Sequence, residues 1–331
     1  MLAAIVQIYA QELDGVLVTL GIATYRRPQG LTRVLTALGA LDLPAGTAIS
    51  VVVVDNDPFG SAAAVFKAAT RELPFPATYL QVAERGISFV RNRIIEQAIA
   101  HQADFLAFID DDEVPDASWL KQLLAVQQRY RADLAGGPVR RTFPAGTPDW
   151  YARLGFFEPR NEPEGPTRNN IDTGNALIAV HVFRDHGLRF DRDFALSGGE
   201  DLLFSMQARR LGLQLAWAPQ AQVVEHVSEN RLRLRWLLAR AYRGGCVTSL
   251  ADYRLYPRPL VFGRNLGKAA IYLGAALWKG LFCWAGSPHR RYLPPIFIAR
   301  AAGLLAGLLG FTYLEYRNPG DEEPVRQTGK C

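Results

Sequence analysis

Apolar and polar positions follow two rhythms along the first 130 residues. Val16–Thr24 (VLVTLGIAT), Ile49–Val54 (ISVVVV), Thr78–Val82 and Phe105–Ile109 are short apolar runs, which read as strands buried in a parallel sheet. Helical spacing fills the gaps between them. Leu31, Val34, Leu35, Leu38 and Leu41 recur at helical intervals after Pro28 ends the first run. Ser61 is placed to cap a helix reaching about Glu72. Gly86–Ala100 sets Phe89, Val90, Ile94 and Ala98 against Arg91, Asn92 and Arg93. Asp116 is placed to cap another helical stretch, from Ala117 onward. Strict alternation of strand and helix predicts a Rossmann-like α/β fold, a mostly parallel sheet with helices on both faces.

After Tyr130 the rhythm loosens. Ala135–Val139, Thr173–Val180, Gln214–Ala218 and Gln222–Val227 read as further strands, and Leu202–Leu211 as a helix. Pro144–Arg168 is a long Pro-, Gly- and charge-rich loop carrying Trp150, Tyr151, Phe156 and Phe157. Loops of that length are often functional. It is either part of an acceptor pocket or an ordinary surface excursion. Two apolar stretches close the pattern: Ala269–Gly286, interrupted by Lys279, and Ile296–Leu314, interrupted by Arg300. Each is near the roughly 20 residues of a membrane span. They read as a pair lying on a membrane, with Arg290 and Arg291 near headgroups. Buried core helices and two true spans are the alternatives. The chain therefore divides into an α/β domain, 1–243, and a basic, apolar helical region, 244–331, whose end, Glu315–Cys331, is polar and expected to fray.

Charge sharpens the picture of the second region. The net charge is +5, but from Arg231 to Arg317 the acids are only Asp252 and Glu315. Basic residues set among apolar and aromatic ones point to an anionic partner, and a membrane surface fits better than nucleic acid. No RNA- or DNA-binding motif is present. Cys246, Cys283 and Cys331 are too few and too scattered for a disulfide framework or a zinc site, which points to a reducing cytoplasm. The start, MLAAIVQIYAQELDG, lacks the basic n-region of a signal peptide.

Candidate chemistry gathers where the apolar runs stop. Phe105–Ile109 ends in Asp110, Asp111, Asp112 and Glu113. In an open α/β sheet, ligands bind at the carboxyl ends of the strands. Crowded carboxylates repel one another, and a divalent cation is the usual way to hold them. Mg²⁺ takes one or two carboxylates and leaves its other positions to water and substrate phosphates. A solvated acidic turn is the alternative. Thr24 and Asp55 end the first and second strands on the same rim. A second acidic pair, Glu200-Asp201, follows Gly198-Gly199 at a helix start, where a carboxylate either works on a ligand or caps the helix.

Taken together, GIATYRRP at 21–28, VVVVDND at 51–57, GISFVRNR at 86–93, FIDDDE at 108–113, TGN at 173–175 and GGED at 198–201 resemble the family 2 glycosyltransferases, which have the GT-A fold. The resemblance covers roughly Val16 to Arg243 and points towards bacterial, membrane-associated, succinoglycan-type enzymes. It implies that Thr24 and Asp55 contact the base and ribose, and that Arg85, Arg91 and Asn92 approach the nucleotide. Asp110 and Asp112 match the two ends of the DxD motif. Asp112 would bind Mn²⁺ or Mg²⁺, Asp110 the ribose or metal-bound water, and Asp111 is the middle residue. Asp201 would be the catalytic base, and His226 a third metal ligand. RLRLRW at 231–236 departs from the QxxRW motif of processive members, with Leu232 in the Gln position, which favours single-sugar transfer.

The implied function is inverting, metal-dependent transfer of one sugar from a nucleotide diphosphate sugar to a lipid-linked or glycan acceptor. Uridine is the family's commonest donor base. The implied place is the cytoplasmic face of the inner membrane, in polysaccharide or glycoconjugate biosynthesis. A nucleotidyltransferase on a related sheet is a second reading, but TYRRPQG is a poor match to its Gly-rich loop. A non-catalytic nucleotide-sugar-binding protein is a third.

Overall fold

The computed structural model describes residues 15–281 and 288–315. The opening stretch, 1–14, the end of the first apolar stretch, 282–287, and the tail from 316 onward lie outside the described residues, as do the expectations for them.

The chain forms two compact units. The first comprises 1–140, 159–195 and 203–226, and the second 141–158, 196–202 and 227–331. An eight-stranded sheet lies at the centre of the first. Its strands are β1 (Val16–Thr24), β2 (Thr47–Asp55), β3 (Ala77–Gln81), β4 (Phe105–Asp110), β6 (Leu134–Gly136), β8 (Gly165–Pro166), β9 (Asn175–Ala179) and β10 (Leu215–Trp217), in the order β3-β2-β1-β4-β9-β6-β10-β8. The short β5 (Glu113–Pro115) pairs antiparallel with β11 (Val223–His226), and β7 (Val139–Thr142) follows β6.

The first four strands are parallel, in keeping with their mostly apolar runs. β9 is where the sheet departs from parallel. It is antiparallel to both β4 and β6, and β8 is antiparallel to β10. The sheet is thus mixed but mostly parallel. The expected strand 135–139 is split, because Gly137-Pro138 interrupts it and Pro138 has no N–H for a ladder.

Helices cover both faces. Alternate residues of the strands feed two separate cores. Val18, Leu20, Ile22, Val51 and Val53 pack with Leu31, Val34 and Leu35 of α1 (Pro28–Gly39) and with Trp119 and Leu123 of α4 (Trp119–Tyr130). Leu17, Val52, Val54, Leu106 and Phe108 pack with Val90, Ile94 and Ala98 of α3 (Ile87–Ala100) and with Phe204. Two caps differ from expectation. α4 begins at Trp119 behind Ser118, while Asp116 contributes only its carbonyl, which accepts from Trp119 N. α2 is short (Ala63–Ala69) and has Ala62 at its N-cap, because the Ser61 hydroxyl bonds the side chain of Asp57 instead.

α5 (His181–Arg184) follows β9, and α6 (Glu200–Arg210) follows the two glycines. The second unit holds α7 (Leu234–Leu255), α8 (Arg258–Leu281) and α9 (Leu293–Leu308). The aromatic residues of the 144–158 loop belong to its core. Trp150 stacks on Tyr292 with centroids 4.8 Å apart, and Phe157 on Trp236 at 6.0 Å. Among the described residues no helix is long and apolar enough to cross a membrane.

Candidate active site

Strand register builds the rim. Thr24 lies opposite Asp55 across β1 and β2, and Ala23 lies opposite Asp110 across β1 and β4. The three polar strand ends therefore meet on one edge, as a parallel sheet demands.

The acidic turn Asp110–Asp112 is tied down residue by residue. Asp111 is 5% exposed and is its buried anchor. Thr24 Oγ1 donates to Asp111 Oδ2 at 2.8 Å, and Arg27 NH1 donates to Asp111 Oδ1 at 3.0 Å. The same Arg27 nitrogen reaches Asp112 Oδ2 at 2.7 Å, so one guanidinium bridges two of the three carboxylates. Arg91, on α3, donates to Asp110 Oδ1 at 3.0 Å. Thr24 is thus occupied in orienting the acidic turn.

Electrostatics follow from this crowding. Burial pushes the Asp111 carboxyl up to about 6, against the pull of Arg27. Burial also raises Asp110; Arg91 opposes that shift and Asp112 adds to it. Glu113 is raised well above the usual range by burial and by its neighbours Asp110, Asp112 and Glu225. Burial would lower Arg27, but Asp111 and Asp112 reverse the effect and hold it protonated.

Glycine makes part of this approach possible. A Cβ at Gly30, in the first turn of α1, would stand 2.3 Å from the Asp111 carbonyl oxygen. Helix α1 therefore sits against the acidic turn at a distance that only glycine allows. Gly174 does the same for Glu113, whose carboxylate would lie 2.5 Å from a Cβ there. Next to it, Asn175 is a buried clamp. It accepts from Trp119 Nε1 at 2.7 Å and donates to the carbonyls of Ala221 and Pro138 at 2.7 and 3.1 Å.

Other predicted site residues are engaged by the fold. Asp55 is fully buried; its Oδ1 accepts from Asp57 N at 2.8 Å, and its Oδ2 accepts from Ala62 N at 3.0 Å and Tyr79 Oη at 2.8 Å. Asn92 holds the Phe190 peptide from both sides: Nδ2 donates to its carbonyl at 2.8 Å and Oδ1 accepts from its N–H at 2.9 Å. Arg85 and Arg26 lie over the Tyr25 ring, 5.4 and 5.1 Å from its centroid. Asn56 fixes the approach to α3 by bonding Val82 O, Glu84 O and Gly86 N.

His226 ends β11. Its side chain is exposed, and its N–H reaches the Asp112 carbonyl at 3.3 Å. The pairing of β5 with β11 thus holds the His226 backbone beside that of Asp112. Among the described residues, no group of three or more His, Cys, Asp or Glu side chains converges to hold a metal ion. The donor set still suits a hard cation such as Mg²⁺ or Mn²⁺, which draws one or two carboxylates from protein and the rest of its oxygens from diphosphate and water. Asp112 and Asp110 are the two that would serve.

In the second unit, Gly198 and Gly199 take positive φ, 73° and 84°, and turn the chain into α6. Glu200 is buried, while Asp201 is half-buried and accepts from Leu202 N at 2.7 Å.

Sequence reasoning singled out Thr24 and the acids Asp110–Asp112, with Glu113 beside them, but missed Arg27, Gly30 and Glu225. The signal for Arg27 was present: an arginine just past a strand, on the rim that carries the acids.

Similarity to known proteins agrees with this architecture. The model of the family described as glycosyl transferase family 2 matches residues 19–187. The succinoglycan biosynthesis protein ExoM of Rhizobium meliloti (strain 1021) is 32% identical over 305 residues, covering 90% of this chain and 94% of that protein. Among solved structures, the mannosyltransferase PcManGT from Pyrobaculum calidifontis, in complex with GDP-Man and Mn²⁺, has a TM-score of 0.60 at 16% identity, covering 93% of this chain and 99% of that one. S. aureus TarS 1–349 has a TM-score of 0.51 at 14% identity, covering 93% and 98%. At such identities the two structures show the shared GT-A fold. Sequence match, sheet topology and relatives converge on one conclusion: this chain is a glycosyltransferase and belongs to family 2.

Proposed function

We propose that the chain transfers a single sugar, with inversion, from a nucleotide diphosphate sugar to a lipid-linked acceptor at the cytoplasmic face of the inner membrane. The observation that carries this reading is the acidic turn Asp110–Asp112 on the carboxyl-terminal rim, held by Thr24, Arg27 and Arg91. The GDP-Man and Mn²⁺ bound to the mannosyltransferase relative support a nucleotide sugar and a divalent metal here. The succinoglycan relative supports polysaccharide assembly.

Each residue has a stated task. Asp112, with Asp110 beside it and His226 as a further candidate ligand, would hold Mn²⁺ or Mg²⁺. When bound, the metal supplies positive charge that stabilises the leaving diphosphate. Arg91 pairs with Asp110, and Thr24 and Arg27 fix the turn. Arg85, Asn92 and Asp55 shape the nucleotide side of the rim, Asn92 and Asp55 by holding backbone. Asp201 takes the proton of the acceptor hydroxyl as its oxygen attacks the anomeric carbon, and the sugar–phosphate bond breaks on the opposite side. Residues 1–243 carry this chemistry, and 244–331 serve attachment.

Product identity tests the reaction class. Incubation with UDP- and GDP-sugars plus a membrane lipid extract should release nucleoside diphosphate in step with sugar transfer. Pyrophosphate release would mark a nucleotidyltransferase. Binding of nucleotide sugar with neither transfer nor hydrolysis would mark a binding protein.

A further inference from the structure

Residues 196–202, which carry the Gly198–Asp201 turn, belong to the same compact unit as residues 227–331. The turn meets α7 at Gly199, whose φ is 84°. A Cβ there would lie 3.1 Å from Val247 Cβ and 3.2 Å from its Cγ2, and would overlap its Cγ1. The branched side chain of Val247 therefore rests on bare glycine backbone, at a distance that any other residue would prevent. Val247 is buried, and so are Ser197 and Glu200 on either side of the two glycines.

Asp201 follows directly. Its hydrogen bond is local, from Leu202 N at 2.7 Å, and fixes the carboxylate only relative to its own peptide. Where the carboxylate stands is set by the backbone of Gly198–Glu200, and both glycines there have wide conformational freedom. Val247 limits that freedom. Helix α7 is in turn held from its other side by α9. A Cβ at Gly303 would lie 2.7 Å from the Tyr242 carbonyl carbon, and one at Gly307 would lie 2.8 Å from Cys246 O. Ser249 Oγ donates to Leu304 O at 2.9 Å, and Tyr253 Oη to Leu308 O at 3.1 Å. At about 100° per residue, Tyr242, Cys246 and Ser249 share one side of α7 and Val247 lies on the other.

We infer that Val247 is a positioning residue for Asp201, acting through Gly199. The helices of 244–331 then have a second task beside attachment: α7, backed by α9, holds the turn that carries the base. The inference deepens the proposed function and rests on its reading of Asp201 as the base. Misplacing a reacting group by about 1 Å can cost about 10²-fold in rate. Val247→Ala removes the two methyl groups that press on Gly199 and opens a gap into which the turn relaxes. Turnover should fall at least about tenfold, a 1.4 kcal/mol effect, while donor affinity stays unchanged.

The test measures kcat and donor affinity for full-length variants, with nucleoside diphosphate release as the readout. Val247→Thr keeps the branched shape, and its hydroxyl can bond the Arg243 carbonyl one turn back in the helix; it should recover most of the turnover lost in Val247→Ala. Val261→Ala makes the same deletion at a fully buried position of α8 in the same unit and should leave kcat unchanged, which separates positioning from a general loss of packing. A double-mutant cycle reads the coupling: adding Val247→Ala to Asp201→Asn should cost nothing further, because both act through one carboxylate. Equal losses in Val247→Ala and Val261→Ala, or losses that multiply in the double variant, overturn the inference. An impaired Asp201→Asn beside a normal Val247→Ala overturns the positioning alone. Wild-type turnover by Asp201→Asn overturns the reading of the base, and this inference with it.

Discussion

Replacing Asp55 with asparagine separates a ligand contact from a structural one. The carboxylate is fully buried and accepts three hydrogen bonds, from Asp57 N, Ala62 N and Tyr79 Oη. Asparagine offers one acceptor oxygen in place of two. If that oxygen serves Ala62 and Tyr79, the amide NH₂ confronts the Asp57 N–H, and one buried donor is left without an acceptor. A hydrogen bond to a charged group contributes about 1.5–3 kcal/mol, and an unsatisfied buried donor costs a similar amount. The remaining two bonds also lose their charge assistance. Asp55→Asn should therefore destabilise the protein by about 3 kcal/mol. With a urea slope of about 3 kcal/mol/M, the unfolding midpoint falls by about 1 M. Donor affinity, measured well below that midpoint, should change little. The reasoning fails if the midpoint is unmoved while donor affinity drops tenfold, because Asp55 would then act on the nucleotide and not on the turn.

Two further predictions concern the turn and the base. Gly30→Ala places a methyl group 2.3 Å from the Asp111 carbonyl, so α1 or the acidic turn must move; donor affinity should fall at least about tenfold, a 1.4 kcal/mol effect, and titration calorimetry with wild-type affinity would show the contact to be slack. Asp201→Asn should lower turnover by about 10²–10⁴ at unchanged donor affinity, while Glu200→Gln, at the buried neighbour, does less; an inactive Glu200→Gln beside a normal Asp201→Asn would reverse the assignment.

What the sequence disclosed depended on how local each signal was. Phe105–Ile109 is apolar at every position, and Ile49–Val54 at all but Ser50, because both sheet faces are covered, so the strands and the rim of Thr24, Asp55 and Asp110 were legible. Strand direction was not: β9 is as apolar as its neighbours, and only the path of the chain turns it antiparallel. Arg27 read as part of a loop because its partners, Asp111 and Asp112, stand more than eighty residues away. Asp55 and Asn92 were legible as polar residues at strand and helix ends, yet backbone groups of Ala62 and Phe190, reached only through folding, occupy them. The cap at Ser61 failed for a similar reason, since its hydroxyl donates to the carboxylate of Asp57. In α8 the pattern showed apolar content, while the inward pairing of Arg264 and Lys268 with Asp252 appears only once α7 is in place.

The central claim is that metal-dependent sugar transfer occurs at the Asp110–Asp112 turn. Its most direct measurement is turnover against Mn²⁺ concentration for wild type and Asp112→Asn, read as nucleoside diphosphate released on sugar transfer. The account predicts wild-type activity that is lost with chelator and restored by Mn²⁺ or Mg²⁺, and an Asp112→Asn protein that folds normally but stays inactive at limiting metal. Wild-type turnover by Asp112→Asn at the same metal concentration would contradict it.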